Sequence, residues 1–301
     1  MRSNIPVLFI LAALLPLRAH GSWFVTGDAD VRCTRVQGQE TAELYLVSFS
    51  ARKVISDGGG DRLILFLLGE GMHDFNNSMI GQAYAQYKGP LGKWNLLAGR
   101  FRLPFGLLQN YSTERLLVTT PEFETLGIAA DDGVQLSGTL ESLEYAVSAS
   151  GGRNSKGILS FRAGYRGVDF EDMRFGVSGF AGRVLSGGTL HDRRIMSADL
   201  IKYRGLLVAR AEAYLGTEDG NNLAGIFAGA DYALLPRTDI TLSYTAVDAA
   251  GTSRLNHLHI GLSYNPAAGF NIRAAKKIPA AQGGSNDEFT LQVYYAVSRS
   301  M

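Results

Sequence analysis

Apolar and polar residues alternate with a period of two along much of the chain, which places one set of side chains on each face of a β-strand. The clearest segment sets Leu258, Ile260, Leu262 and Tyr264 against His257, His259, Gly261 and Ser263. Residues 239–246 and 159–166 repeat the pattern. The alternation predicts an all-β protein built from long antiparallel strands.

The length of the alternating segments favours a membrane β-barrel over a soluble sheet with one wet face. Soluble strands usually span about five or six residues, whereas barrel strands need about ten. The apolar side also ends in tyrosine at Tyr165, Tyr232 and Tyr264, where an aromatic girdle would meet the lipid headgroups. A soluble antiparallel sheet is the alternative that this pattern alone leaves open.

The segments predict a transmembrane antiparallel β-barrel of about sixteen strands. The expected strands are 22–33, 40–51, 61–70, 79–88, 93–102, 132–140, 143–150, 157–166, 172–184, 194–204, 206–216, 222–235, 238–248, 254–265, 269–278 and 287–299. From the fourth strand onward, short links are expected to alternate with longer polar ones at 103–131, 151–156, 185–193, 217–221, 249–253 and 279–286, as in bacterial barrels. One continuous wall makes residues 22–301 a single domain.

Residues 1–21 are expected to form a secretory signal peptide. Arg2 precedes an apolar stretch from Ile5 to Leu17, and small residues at Ala19 and Gly21 place the cleavage before Ser22. A membrane anchor would need about 20 apolar residues, more than this stretch offers. Export and a barrel fold together predict the cell outer membrane of a Gram-negative bacterium.

Composition narrows the classes further. The chain is 46% hydrophobic and 19% charged, which excludes disorder, and its 36 glycines suit strands and tight turns. A formal charge of +1 and the absence of a basic run exclude nucleic acid as a partner. Cys33 is the only cysteine, so no intrachain disulfide forms. We expect no cofactor.

The segment from Leu103 to Asp131 is too long for an ordinary connection and shows no alternation, so we expect it to be functional. It carries four acidic residues, Glu114, Glu122, Glu124 and Asp131, and one basic residue, Arg115. Pro104 would end the preceding strand, because proline lacks the backbone donor that a strand ladder needs. Gly106 would then let the chain turn.

A motif around this segment resembles the phosphate-selective porin O/P family. The matching residues are Ala98-Gly99-Arg100-Phe101-Arg102-Leu103-Pro104-Phe105-Gly106-Leu107, then Glu114-Arg115, then Asp132-Gly133-Val134-Gln135-Leu136-Ser137-Gly138, continuing through Tyr145-Ala146-Val147 to Gly151-Gly152. The resemblance implies a sixteen-stranded outer-membrane channel, commonly a homotrimer, through which small anions pass passively. It also implies that the loop after the fifth strand folds inward and narrows the pore.

On that reading the constriction would be formed by Arg100, Arg102, Arg115, Glu114, Glu122 and Glu124. The family's phosphate-selective members carry runs of basic residues on the strands and the loop, whereas this loop is net acidic. We therefore expect a general pore for small hydrophilic solutes, with at most mild anion selectivity.

If the apolar faces meet lipid, the alternate positions line the water-filled lumen. The expected pore-lining charges are Arg162, Arg166, Arg174, Arg210, Glu212 and Arg273, together with Asp28, Asp30 and Arg32 near the start and polar residues such as Gln135 and Ser137. Rings of arginine select anions. Pairing of these arginines with acidic residues on neighbouring strands is the alternative, and it would leave a wall with little selectivity.

Two further functions use the same barrel. A structural sleeve around a partner, such as an electron-transfer protein, would turn the long loop outward. A barrel enzyme would need a serine beside a base, and Ser243, Ser263, Asp239, His257 and His259 lie on neighbouring strands. No Gly-x-Ser-x-Gly motif is present, and two histidines alone are weak grounds for a metal site. We predict that the protein is not an enzyme and has no catalytic or metal residues.

Overall fold

The computed structural model describes residues 21–57, 60–72, 77–107, 126–152, 155–165, 173–186, 188–249, 252–280 and 287–300. The described residues form sixteen antiparallel strands, each hydrogen-bonded to the strands before and after it in sequence, and β1 pairs with β16 to close one barrel. Within these residues no helix is long and apolar enough to cross a membrane. The predicted fold class, a closed antiparallel barrel of sixteen strands, is confirmed.

The strands run as follows: β1 Gly21–Val36, β2 Gln39–Asp57, β3 Gly60–Met72, β4 Asn77–Lys88, β5 Asn95–Arg102, β6 Ala130–Leu140, β7 Leu143–Ser150, β8 Ser155–Tyr165, β9 Met173–Ser186, β10 Thr189–Arg204, β11 Leu207–Glu218, β12 Asn221–Leu235, β13 Thr238–Ala249, β14 Thr252–Ala267, β15 Phe270–Pro279 and β16 Glu288–Ser300. A single 3-10 turn, Pro90–Gly92, lies between β4 and β5. Of the predicted signal peptide, residues 1–21, the first twenty lie outside the described residues, and Gly21 is the first residue of β1.

The predicted alternation of short and long links is wrong at three places. The expected long links 185–193, 217–221 and 249–253 are two-residue connections, because β9 ends at Ser186 and β10 begins at Thr189, with equally tight junctions after β11 and β13. Polar residues such as Asp192 suggested a loop. These residues belong instead to the first part of β10, which begins at Thr189. A barrel strand can be polar on both faces where it extends beyond the lipid.

The outer face of the barrel is apolar. Leu159 is 62% exposed and Leu242 is 48% exposed, although both lie in the middle of strands, and the same holds for Phe161, Ile260 and Leu262. These large apolar side chains are exposed all around the closed wall. Such a surface is stable only in contact with lipid, because in water the apolar side chains would remain unburied. A closed barrel also leaves no strand edge unpaired in that lipid. The protein is therefore an outer-membrane β-barrel.

The alternate positions point into the lumen. On β1, Asp28 and Asp30 are buried while their neighbour Val31 is exposed to lipid. On β9, Ser178 and Phe180 are buried while Val177 is exposed. Because cross-strand partners share a face, the register carries this assignment from strand to strand around the barrel. Two ends are distinguished below: the short-turn end, where β1 begins and β16 finishes, and the loop end, where β5 finishes and β6 begins.

A new charge is expected to change the free energy of unfolding by different amounts on the two faces. Leu242→Arg, at the centre of β13 on the lipid face, is expected to lower the free energy of unfolding by about 2–4 kcal/mol, because the guanidinium enters hydrocarbon. Thr241→Arg, one residue away on the lumen face beside Asp231, is the matched control and is expected to change it far less. Urea unfolding from lipid vesicles measures both values. Equal losses in the two variants would contradict the assignment of faces.

Candidate functional site

Both described ends of the long connection between β5 and β6 lie inside the barrel. Leu103, Phe105 and Leu107 leave β5, and Leu126 and Ile128 return to β6, and all five are buried. The Phe105 ring stacks on Tyr214 of β11 with ring centroids 6.2 Å apart, and it meets the edge of Phe180 of β9 at 6.4 Å. Since Tyr214 and Phe180 occupy lumen positions, the connection begins and ends within the lumen.

Two hydrogen bonds attach the backbone of the outgoing end to the far wall. The Gly106 amide donates to the Ser178 hydroxyl at 2.9 Å, and the Leu107 amide donates to the Glu212 carboxylate at 3.0 Å. The Ser197 hydroxyl donates to the other oxygen of Glu212 at 2.7 Å. Glu212 is therefore an acceptor that binds the connection to β11.

Gly106 is required at this attachment for two reasons. Its φ is +63°, a conformation that other residues adopt only with strain. A Cβ at this position would also lie 2.0 Å from Oε1 of Glu212, where nothing fits. The Pro-Phe-Gly motif singled out in the sequence thus produces a close approach of the backbone to a buried carboxylate.

The attachment lies within an apolar cluster that fills part of the lumen at the loop end. Its members besides the connection come from the lumen faces of the strands from β5 to β14: Leu97, Phe101, Ile158, Phe180, Val184, Ile195, Tyr214, Leu223, Val247, Ala249 and Leu255. Such packing inside a barrel excludes water locally and holds the ends of the connection in place.

Nearer the short-turn end the lumen wall is polar, and most of its arginines are paired with acidic residues. Arg162 contacts Glu144 at 3.1 Å and Asp199 at 2.8 Å. Arg210 pairs with Asp231 on the next strand. Their positive charge is therefore largely compensated, which follows the alternative of cross-strand pairing rather than a free basic ring.

Further paired arginines extend the pattern. Arg32 contacts Asp30 at 2.7 Å, and Gln292 donates to the same carboxylate oxygen at 2.7 Å. The guanidinium of Arg273 donates to the side-chain oxygen of Gln292 at 2.9 Å. Polar side chains thus form a connected network across β15, β16 and β1.

The expected constriction residues that the structure describes do not all face the lumen. Arg102 lines a lumen cavity of about 300 Å³ together with Gln135, Glu144 and Arg162. Arg100 lies on the outer face, where it contacts Asp132 at 3.4 Å. The expectation for Arg100 needs correction, because its neighbours Leu97 and Phe101 already occupy the lumen face. Glu114, Arg115, Glu122 and Glu124 lie outside the described residues.

The expected pore-lining residues also divide. Arg162, Arg174, Arg210 and Arg273 occupy lumen positions on β8, β9, β11 and β15, and Arg166 lies outside the described residues. Glu212 faces inward but is only 2% exposed, so it does not line a water-filled path. The correction has a physical cause: the ends of the connection cover the Glu212 carboxylate and use it as an acceptor.

The residues considered for catalysis come close but do not form a reactive set. Ser243 lies directly across from His259, and Thr245 lies across from His257. The Ser243 hydroxyl has no hydrogen-bond partner, so no base activates it. In the part of the chain that the structure describes, no three histidine, cysteine or acidic side chains are grouped to hold a metal ion.

Sequence reasoning missed the residues that receive the connection. Ser178, Phe180 and Tyr214 lie far from the motif in sequence, and only the closed topology brings them to it. One signal was available: Phe180 and Tyr214 are large aromatic residues at positions whose parity faces the lumen, where a water-filled wall would carry polar side chains.

The geometry defines a class: an outer-membrane barrel of sixteen strands in which both described ends of the connection between β5 and β6 lie inside the lumen. Solved structures share this fold over nearly the whole chain. OmpT of Vibrio cholerae with loop L8 deleted, described as an outer membrane protein, matches with a TM-score of 0.74 and 14% identity over 92% of this chain and 99% of that chain.

Two solved porins match as well. OmpF of Salmonella typhi gives a TM-score of 0.73 at 11% identity, covering 91% of this chain and 97% of that chain. The anion-selective porin of Comamonas acidovorans gives 0.69 at 11% identity, covering 94% and 100%. No protein-family model matches the sequence. The curated proteins likewise offer no match. The fold is thus porin-like in general, with no family match to the phosphate-selective porins that the motif resembles.

Removal of the Glu212 carboxylate, which accepts the hydrogen bond from the Leu107 amide, is expected to loosen the connection locally. Glu212→Ala is expected to speed hydrogen exchange of the Leu107 amide about tenfold or more, because a buried donor that loses its acceptor costs about 1–3 kcal/mol. Exchange of the peptide spanning residues 103–107, followed by mass spectrometry, measures it. Glu144→Ala, which removes a lumen carboxylate paired with Arg162, is the matched control and should leave that peptide unchanged.

Proposed function

We propose that the protein is an outer-membrane porin through which small hydrophilic solutes diffuse passively. The observation that carries this proposal is a closed barrel with a polar network on its lumen wall and with both described ends of the β5–β6 connection buried inside it. A connection that stays inside would narrow the channel and still leave a path for solutes. On this proposal residues 108–125, with Glu114, Arg115, Glu122 and Glu124, complete the constriction.

The same observation weighs against a sleeve. A sleeve around an electron-transfer protein would need an open lumen and an outward loop. Here Leu103, Phe105 and Leu126 occupy the lumen and pack against several strands, so a folded partner would have to displace an apolar cluster. A barrel enzyme has less support, since the lumen serine and histidine residues are not hydrogen-bonded to one another.

We infer weak selectivity rather than phosphate specificity. Arg162 and Arg210 are compensated by carboxylates, and a compensated wall gives a small net field for ions in transit. Mild anion selectivity would then depend on Arg102 beside the cavity. On the same proposal the signal peptide is removed and the barrel assembles as a homotrimer in the outer membrane, as a trimer form is known for OmpT of Vibrio cholerae.

Conductance tests the proposal directly. Protein purified from outer membranes and added to a planar lipid bilayer in potassium chloride is expected to give stable, ohmic current steps. A control with protein unfolded before addition should give none. Complete absence of steps from folded protein would favour the sleeve or a closed barrel.

The reversal potential under a salt gradient compares the contributions of the two arginines of β5 to ion selectivity. Arg102→Ala is expected to shift the reversal potential towards cation selectivity, because a positive charge leaves the lumen cavity. Arg100→Ala is the matched control, since it removes the same charge from the outer face two residues away, and no shift is expected. An equal shift in both variants would contradict the placement of Arg102.

A further inference from the structure

One part of the lumen wall, on β2 and β3, is apolar and contributes no residue to the apolar cluster around the described ends of the connection. On β3 the run from Leu63 to Leu68 is apolar at every position, so both faces of this strand are apolar. Its lumen positions are Ile64, Phe66 and Leu68. A water-filled channel gives no reason for this, because barrel interiors are normally polar.

A row of aromatic residues crosses this wall with an arginine in its middle. The register pairs Phe24 of β1 with Arg52 of β2, Arg52 with Phe66 of β3, and Phe66 with Tyr84 of β4. The rings of Phe66 and Tyr84 lie 5.1 Å apart, and the guanidinium of Arg52 lies 5.8 Å from the ring of Phe24. The four side chains form one continuous surface, called the aromatic row below.

Arg52 differs from Arg32, Arg162 and Arg210, because it has no ion pair within the part of the chain that the structure describes. Arg32, Arg162 and Arg210 each contact a carboxylate. Arg52 is exposed, and the lumen carboxylates Asp28 and Glu70 lie two lumen positions away along β1 and β3. Its charge is therefore available to a solute.

A cavity of about 530 Å³ opens beside the row at the short-turn end. Phe24, Phe66 and Arg52 line it together with the hydroxyl-bearing residues Thr26 and Ser50, and Arg299 borders it from the position opposite Val25, on the lipid face. Small-molecule sites commonly measure about 300–1,000 Å³ and combine apolar walls with a few placed polar groups. Two aromatic rings, the guanidinium of Arg52 and no lining carboxylate fit a solute with an apolar body and an anionic head.

We propose that the aromatic row is a binding station for small amphipathic organic anions, of which aromatic carboxylates are the chemical class. The carboxylate contacts Arg52 while the apolar body packs on Phe66 and Phe24. This inference rests on the proposed porin function and deepens it, because it names a class of solute that the channel retains longer than an inorganic ion.

The test compares benzoate with acetate on the conducting channel. In the bilayer, benzoate added at the short-turn side is expected to reduce the open-channel current at concentrations at which acetate has no effect. Arg52→Gln and Phe66→Ser are each expected to raise the benzoate concentration needed by about fivefold to tenfold, as expected for the loss of one charge-assisted or aromatic contact. Arg52→Lys should restore part of the effect.

Arg174→Gln is the matched control. Arg174 lies at a lumen position on β9, its guanidinium is 5.5 Å from the ring of Tyr203, and it lacks the continuous row of aromatic neighbours. Benzoate block should be unchanged in this variant. An equal loss in Arg174→Gln would show that any lumen cation suffices and would overturn the proposal.

Binding measured without conduction separates the two proposals. Line broadening of 4-fluorobenzoate in ¹⁹F spectra, recorded with the full detergent-folded protein, should be strong for the native chain and weak for Phe66→Ser, with folding of both checked by circular dichroism. If ohmic steps occur but benzoate behaves like acetate in both assays, the station is refuted and the porin stands. If no steps occur while broadening depends on Phe66, the porin fails and the site remains.

Discussion

The structure depends on the pairing of every backbone N–H and C=O group in a medium that offers no water. An unpaired backbone group in hydrocarbon costs several kcal/mol, so a sheet in lipid must close on itself. Here β1 and β16 provide that closure, with a register that runs from Phe24 opposite Ser300 to Val36 opposite Glu288. Once the wall is closed, each residue faces either lipid or lumen, and the two sides impose different chemistry.

That constraint explains why the fold could be predicted from the sequence. Period-two alternation is a local property, so Leu258, Ile260 and Leu262 revealed both a strand and its lipid face. The wrong predictions concern strand boundaries, where apolar and polar residues no longer alternate. Residues 52–57 and 189–193 fall outside the predicted strands, yet 52–57 continue β2 and 189–193 begin β10.

The candidate site was less predictable because its contacts join residues far apart in sequence. Glu212 has the parity of a pore-lining residue, and only the closed barrel brings the Leu107 amide to it and removes it from water. Arg100 and Arg102 occur in one motif, yet Arg100 follows the strand parity and points outward. Arg102, at the point where the chain leaves the wall, lines the lumen cavity. A motif identifies a segment, whereas the face of each residue depends on where the strand ends.

The lumen wall has two different sides because the described ends of the connection pack against only one of them. Along the strands from β8 to β12 the described ends of the connection occupy the loop end, and Arg162 and Arg210 nearer the short-turn end are paired with carboxylates, so this side carries little net charge. The apolar cluster at the described ends of the connection includes no residue of β1 to β3, and there Phe24 is 43% exposed beside Arg52, which has no ion pair among the described residues. On the proposed function, a solute passing this wall meets apolar surface and positive charge together, so its retention depends on amphipathic character more than on net charge.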